Sequence, residues 1–269
     1  MIRKSVTVAA LLFVAACSKA PEDVTARYSV AGGRGTFTVK AAGNGDTRLD
    51  AGPQTFIRHD GKDYVVVGEG KDRFAATIPD FIASMGELLR ESGTVPPPAA
   101  AQPEFEAVQK GDETVAGLKG AVWKVGPKGN STMPSIEMVI SSDPAFAGVG
   151  KAMATQARFG SAGMEQLIGS VPNVEKKLEE VLDKGMVLRF GDELKLEGVE
   201  KAPIAATEFT LPKVMDKAAL KQHLNEMRKR GMAQAAAAAA AAQKGGAGQA
   251  PAAPAPSAPV SPEPKAPAK

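Results

Sequence analysis

The sequence predicts an α+β fold: an antiparallel sheet with inserted helices, then a C-terminal helix and a disordered Pro/Ala-rich tail. Three observations predict it. Short runs alternate apolar and polar residues and are joined by the turn pairs Asn44-Gly45 and Asp60-Gly61. Helix starts stand between the runs at Pro79-Asp80 and Asp143-Pro144. From Gln243 onward the composition collapses to Gly, Ala, Pro, Ser and Lys with little that is bulky to bury.

Taken in order, Thr36-Phe37-Thr38-Val39-Lys40 is a half-buried strand, and Asn44-Gly45 turns the chain into Arg48-Leu49-Asp50. Residues 55–59 form the next strand, Asp60-Gly61 turns it, and residues 63–67 and 74–78 continue the meander. A helix follows Pro79-Asp80 with Phe81, Ile82, Met85, Leu88 and Leu89 on its apolar side, and residues 94–103 are a Pro/Ala loop. Further strands are expected at 105–108, 114–116, 121–125 and 136–141. Residues 146–168 read as helix broken by Gly148, Gly150, Gly160, Gly163 and Gly169, and 174–184 as a second helix closed by Gly185. Strands at 186–190, 194–199 and 205–211 complete the set, and residues 215–243 read as one helix started near Asp216.

The N-terminus has its own logic. Arg3 and Lys4 precede an apolar run over residues 6–16, and the run ends at Val14-Ala15-Ala16-Cys17, the chain's single cysteine. The run is too short to remain a membrane span, which needs ~20 apolar residues, and reads as a secretory signal. Val-Ala-Ala-Cys resembles the lipobox of bacterial lipoproteins. That resemblance implies cleavage before Cys17, diacylglycerol on its thiol and a further acyl chain, such as palmitate, on the new amino terminus. With Ser18 following, it also implies the periplasmic face of the outer membrane of a Gram-negative cell. One chain binds marginally at ~0.8 kcal/mol per buried CH₂, whereas two or three hold nearly permanently. The expected organisation is a signal over residues 1–16, a lipidated linker over 17–25, a sheet domain over 26–212, an Ala-rich helix over 213–243 and a tail over 244–269.

The stretch Gly111-Asp112-Glu113-Thr114-Val115-Ala116-Gly117, the strand Ala121-Val122-Trp123-Lys124-Val125 and the helix start Ser142-Asp143-Pro144 are similar to segments of uncharacterised LolA/LolB-like envelope proteins. That resemblance implies a strongly curved, half-barrel-like sheet lined by helices around an apolar cavity. On such a sheet the candidate lining residues are Phe37, Val39, Phe56, Tyr64, Val66, Trp123, Met138 and Val139. The arginine that lines the family's cavity entrance has no assignable counterpart.

Composition and motifs narrow the function classes. The formal charge of +3 falls by two with the signal, so no basic field for nucleic acid is expected. His59 and His223 have no Cys or His at metal spacing, and neither a metal nor another cofactor is expected. Phe159-Gly160-Ser161-Ala162-Gly163 lacks the spacing of a nucleophile elbow, and Gly32-Gly33-Arg34-Gly35 lacks the Lys-Ser/Thr of a phosphate loop. Carboxylates are scattered singly, so an enzyme is not expected. Met85, Met133, Met138, Met153, Met164 and Met186 suit either ordinary core filling or an adaptable pocket. The expected function is non-enzymatic binding of a lipid, an acyl chain or a partner protein in the envelope. The alternative is a tether whose helix and Pro-rich tail contact cell wall or an envelope protein.

Overall fold

The computed structural model describes residues 22–33, 35–93, 103–129, 133–170 and 172–245. Cys17, the signal segment, most of the linker and tail residues 246–269 lie outside them. The first meander contains β1 (Val24–Val30), β2 (Thr36–Ala41), β3 (Thr47–Ala51), β4 (Gln54–His59), β5 (Lys62–Val67) and β6 (Phe74–Thr77). Helix α1 (Ile78–Glu91) leads to the second, β7 (Phe105–Val115), β8 (Leu118–Pro127) and β9 (Ile136–Ser141). After α2 (Ala147–Ile168) and α3 (Asn173–Leu182), β10 (Met186–Phe190) and β11 (Leu194–Glu200) return, followed by the short β12 (Lys213–Val214) and α4 (Lys217–Gly245).

The strands form one curved open sheet in the order β12-β6-β5-β4-β3-β2-β1-β11-β10-β9-β8-β7. Every pairing is antiparallel except β12 on β6. β11 pairs with β1 and β10 with β9, which fuses the two meanders. β7 is an outer strand, guarded by Glu106, Lys110, Asp112 and Glu113 and by an irregularity between Gln109 and Gly111, features that discourage edge-to-edge pairing.

Both turn pairs join adjacent strands, but Asn44-Gly45 sits in a five-residue loop over residues 42–46, closed by the Ala42 amide on the Asp46 carbonyl at 2.8 Å, in place of a two-residue turn. Asn44 Oδ1 accepts the Asp46 amide at 3.0 Å. Asp60 and Gly61 take φ of 49° and 74°, the left-handed pair that a two-residue hairpin demands. Four further expectations are corrected. β1 starts at Val24, inside the stretch read as linker. The segments at 105–108 and 114–116 belong to one strand, β7, because β8 pairs along its whole length. α2 runs unbroken through Gly148, Gly150, Gly160 and Gly163, and stops at Gly169 with φ 76°. Residues 205–211 hold a 3-10 turn, Ala206–Phe209, in place of a strand.

Register assigns each side chain a face. Ala26, Val39, Leu49, Phe56, Val65 and Ala76 stand opposite one another across six strands, all but fully buried. This row faces the helices. α2 crosses β2, β3, β4 and β10; α1 covers β5 and β6; α3 covers β7 and β8. Phe159 of α2 meets Phe56 edge-on at 5.1 Å and Phe81 of α1 at 5.7 Å. α2 sits close because two of its positions lack side chains. A Cβ on Gly148 would come within 2.8 Å of the Ala41 methyl, and one on Gly150 within 2.7 Å of the Gly185 backbone. Burial of this face outweighs the ~1 kcal/mol that a helical glycine costs. Tyr28 links sheet to helix, its hydroxyl donating to the Val187 carbonyl at 2.8 Å beside Met153 Sδ at 3.5 Å.

The reverse face carries a second, smaller core of Ile57, Val66, Ala75 and Phe209, joined by Tyr64, Ile204 and Leu211. Here the 3-10 turn straps the sheet: Lys40 pairs with Glu208 at 2.8 Å, and Arg48 Nη1 donates to the Glu208 carbonyl at 3.0 Å. Asp23 accepts amides from Gly43 at 2.8 Å and Ile204 at 2.7 Å, bonds that hold its carboxyl below the usual range. The chain forms two compact units, Met1–Gln222 and His223–Lys269. Within the first, α4 begins with Leu220 fully buried and Lys217 and Lys221 bonded to Glu87 at 2.8 and 2.9 Å. Within the second, residues 229–240 are exposed.

Two stability predictions follow from this packing. Gly150→Ala loses about 1–3 kcal/mol in urea denaturation, because its methyl meets backbone. Gly163→Ala, with nothing within 4 Å of the new methyl, is unchanged or gains up to ~1 kcal/mol. Burial pushes the Tyr28 phenol above its ordinary 10.0. The folded state keeps a proton that the unfolded chain releases near pH 10, so this stabilisation is full below pH 10 and declines as pH climbs toward the folded value. Tyr28→Phe should flatten that alkaline decline, and should cost roughly 1–3 kcal/mol at neutral pH by orphaning the Val187 carbonyl.

Candidate functional site

Alternation along each strand divides the eight candidate lining residues between the two faces. Phe37, Val39, Phe56, Trp123 and Met138 share the helix face, Phe37 opposite Tyr28 and Trp123 opposite Met138. Tyr64 and Val66 flank Val65 and therefore point to the reverse face, into the Phe209 core. Val139 also lies on the reverse side, where a Cβ on Gly120 would meet its Cγ1 at 2.8 Å and Leu188 Cδ1 at 2.9 Å. Even the five on the helix face do not line one space. Val39 and Met138 are sealed beneath the helices, Phe56 is capped by Phe159, and Trp123 lies under the Lys184 ammonium at 4.8 Å, a contact of about 0.5–1 kcal/mol. Only Phe37 reaches an open apolar space.

That space is a half-open groove of about 540 Å³ between α2, α3 and the sheet, within the ~300–1,000 Å³ range of ligand sites. Its floor is Phe37, Val187, Phe190 and Leu194; α2 supplies Met153, Ala157, Gly160 and Met164, and α3 supplies Leu178 and Leu182. The α2 positions recur at spacings of three and four, which put them on one face of a helix. Gly160 is exposed, sits inside the helix, and has nothing within 4 Å of an added Cβ. Unlike Gly148 and Gly150 it permits no close approach, so packing does not account for it. Its effect is to leave the groove wall open at a cost in helix stability of ~1 kcal/mol.

The groove's polar groups are few. Ser161, buried, has its hydroxyl 3.1 Å from Glu175 Oε2 and 3.3 Å from the Ala157 carbonyl, which ties α2 to α3. Gln156, Glu175 and Glu179 complete the rim, and none of the lining residues is basic.

A second cleft, of about 500 Å³, is polar, and its two arginines are already paired, Arg58 with Asp63 at 3.0 Å and Arg158 with Asp183; Lys151, Lys184 and Asp143 also line it. His59 Nδ1 lies 2.9 Å from Asp46, a contact that braces the neighbouring turns. Among the described residues no three His, Cys, Asp or Glu are grouped to hold a metal, and no helix is long and apolar enough to cross a membrane.

The groove was not among the sequence-level candidates. The available signal was the α2 stripe of Met153, Ala157, Gly160 and Met164, with a glycine where nothing required one.

No family model and no curated protein matches the chain. Solved structures similar to it include MucB, at 14% identity and a TM-score of 0.28, with 72% of this chain and 58% of that chain covered. MucB in complex with MucA(peri) gives 17% and 0.26, covering 72% and 55%. The Pseudomonas aeruginosa MucA/MucB complex gives 15% and 0.26, covering 72% and 56%. The chain thus spans little more than half the length of those chains, and a likeness of this size bears on neither partner nor activity.

Proposed function

We propose that this protein is a non-enzymatic binding protein of the bacterial cell envelope, anchored through acylated Cys17 at the periplasmic face of the outer membrane. Its groove between α2, α3 and the sheet takes the apolar part of a ligand, either an acyl chain or the side chains of a partner protein. The observation that carries the binding role is Gly160, which keeps an apolar groove open without serving any packing need. Met153 and Met164 beside it give the wall an adaptable surface. The lipobox residues Val14-Ala15-Ala16-Cys17 support the anchor.

Each part has its own measurement. Metabolic labelling with an alkyne palmitate should tag the wild-type chain in the membrane fraction. Cys17→Ala should be unlabelled and leave that fraction; label retained on the variant would remove the anchor. For the groove, Gly160→Leu should fill the space while matching or exceeding wild-type stability, since Leu is the better helix former by up to ~1 kcal/mol. Binding of the apolar dye 1-anilinonaphthalene-8-sulfonate to the unacylated Cys17→Ser chain should fall at least tenfold in the Leu variant. Equal dye binding in both proteins would mean the groove takes no ligand.

A further inference from the structure

The groove's occupant can be specified by charge. α3 turns Glu175, Leu178, Glu179 and Leu182 toward the groove, the three-and-four spacing of one helical face. Two of these four positions on an otherwise apolar stripe are carboxylates, although the exposed positions Lys176 and Glu180 lie next to them. Glu175 and Glu179 are each half-buried. Among the described residues neither forms an ion pair; Glu175 has only the Ser161 hydroxyl, and no lining residue is basic. A carboxylate half-buried beside apolar surface makes a stronger, charge-assisted contact with a cation than one in open water does. No lining residue supplies that cation, so the complementary charge belongs with what enters.

We infer that the groove accepts an amphipathic, cationic segment of a partner protein: large apolar side chains on the Phe37–Phe190–Leu194 floor, and two basic residues on Glu175 and Glu179. The inference rests on the groove-binding reading above and names its occupant. The α2 wall from Met153 to Met164 is about 16 Å long at 1.5 Å per residue, room for roughly three helical turns. Glu175 and Glu179 are one turn apart, about 6 Å along the axis, so the matching cations stand four residues apart on a helical partner. An anionic headgroup fits this rim poorly, because two carboxylates would face a third negative charge in a partly desolvated site.

The test is calorimetric titration of the unacylated Cys17→Ser chain with three probes. The first is a synthetic Leu/Met-faced helical peptide with two lysines four residues apart, the second the same peptide with glutamates at those positions, and the third palmitate. The lysine peptide should bind at least tenfold more tightly than the glutamate peptide, and more weakly as salt rises. The E175Q/E179Q double variant, which keeps shape and removes charge, should lose about tenfold for the lysine peptide, the scale of charge-assisted hydrogen bonds, together with the salt dependence. Palmitate binding that outcompetes the lysine peptide and is blocked by Gly160→Leu overturns the inference while leaving the groove reading intact. Self-association abolished by Gly160→Leu does the same, and assigns the groove to a second copy. If no probe binds, or if Gly160→Leu changes nothing, both readings fall together.

Discussion

The pairing of β1 with β11 is the constraint on which the rest of the structure depends. The first meander assembles through hairpins, β10 and β11 extend the second across the α2–α3 connection, and the two halves join only where residues near 25–30 meet residues near 194–200. That ladder brings the Phe37–Tyr28 row into line with Leu196 and Leu194, and so with Phe190, Met138 and Trp123. The result is one continuous apolar face wide enough for three helices. Without the ladder, α2 would have half a floor and the groove would not exist, because Phe37 comes from one meander and Phe190 from the other. Closing a loop of this length is entropically expensive, and it is offset by the burial of Ala26, Tyr28 and Leu196, each no more than 2% exposed.

The helix layer then divides into two kinds of contact. Toward the N-terminal end of α2, Gly148 and Gly150 let the helix settle onto Ala41 and the Gly185 backbone, and the interface is solid. Toward the C-terminal end, Gly160 and Gly163 meet nothing, and Gly160 borders the groove between α2, α3 and the sheet. A residue type with one intrinsic cost therefore has two uses along one helix. In the first half the cost is recovered as packing; in the second it is recovered only if something enters. The half-buried Glu175 and Glu179 offer charge complementarity to a cationic occupant, and the two arguments rest on different residues of different helices.

The local parts of this fold were legible because their causes are local. Gly45, Asp60 and Gly61 take the left-handed backbone that few other residues supply cheaply, so the hairpins followed from composition. Asp143-Pro144 and Asp216 announced helix starts through capping, and the Asp143 and Asp216 carboxylates do accept the Ala145 and Ala219 amides, at 2.9 and 2.8 Å. Where burial competes with propensity, the reading failed. α2 was expected to break at its glycines, yet it runs unbroken, packed tightly at Gly148 and Gly150. Residues 205–211 alternate like a strand, yet Phe209 has a better place in the reverse-face core than in a ladder.

By itself, then, the sequence determined the α+β class, the hairpin turns and the helix starts, since each depends on residues within a few positions of one another. Only the tertiary structure decided which face each strand residue takes and where open space remains. Val66 and Val39 are equally apolar and both lie in half-buried strands, but the register that sets Val39 level with Leu49, Phe56 and Val65 puts Val66 on the opposite side of the sheet. The groove is set by the separation of α2 and α3 over a floor drawn from two meanders, a distance between elements far apart in the chain that no periodicity within any one of them encodes.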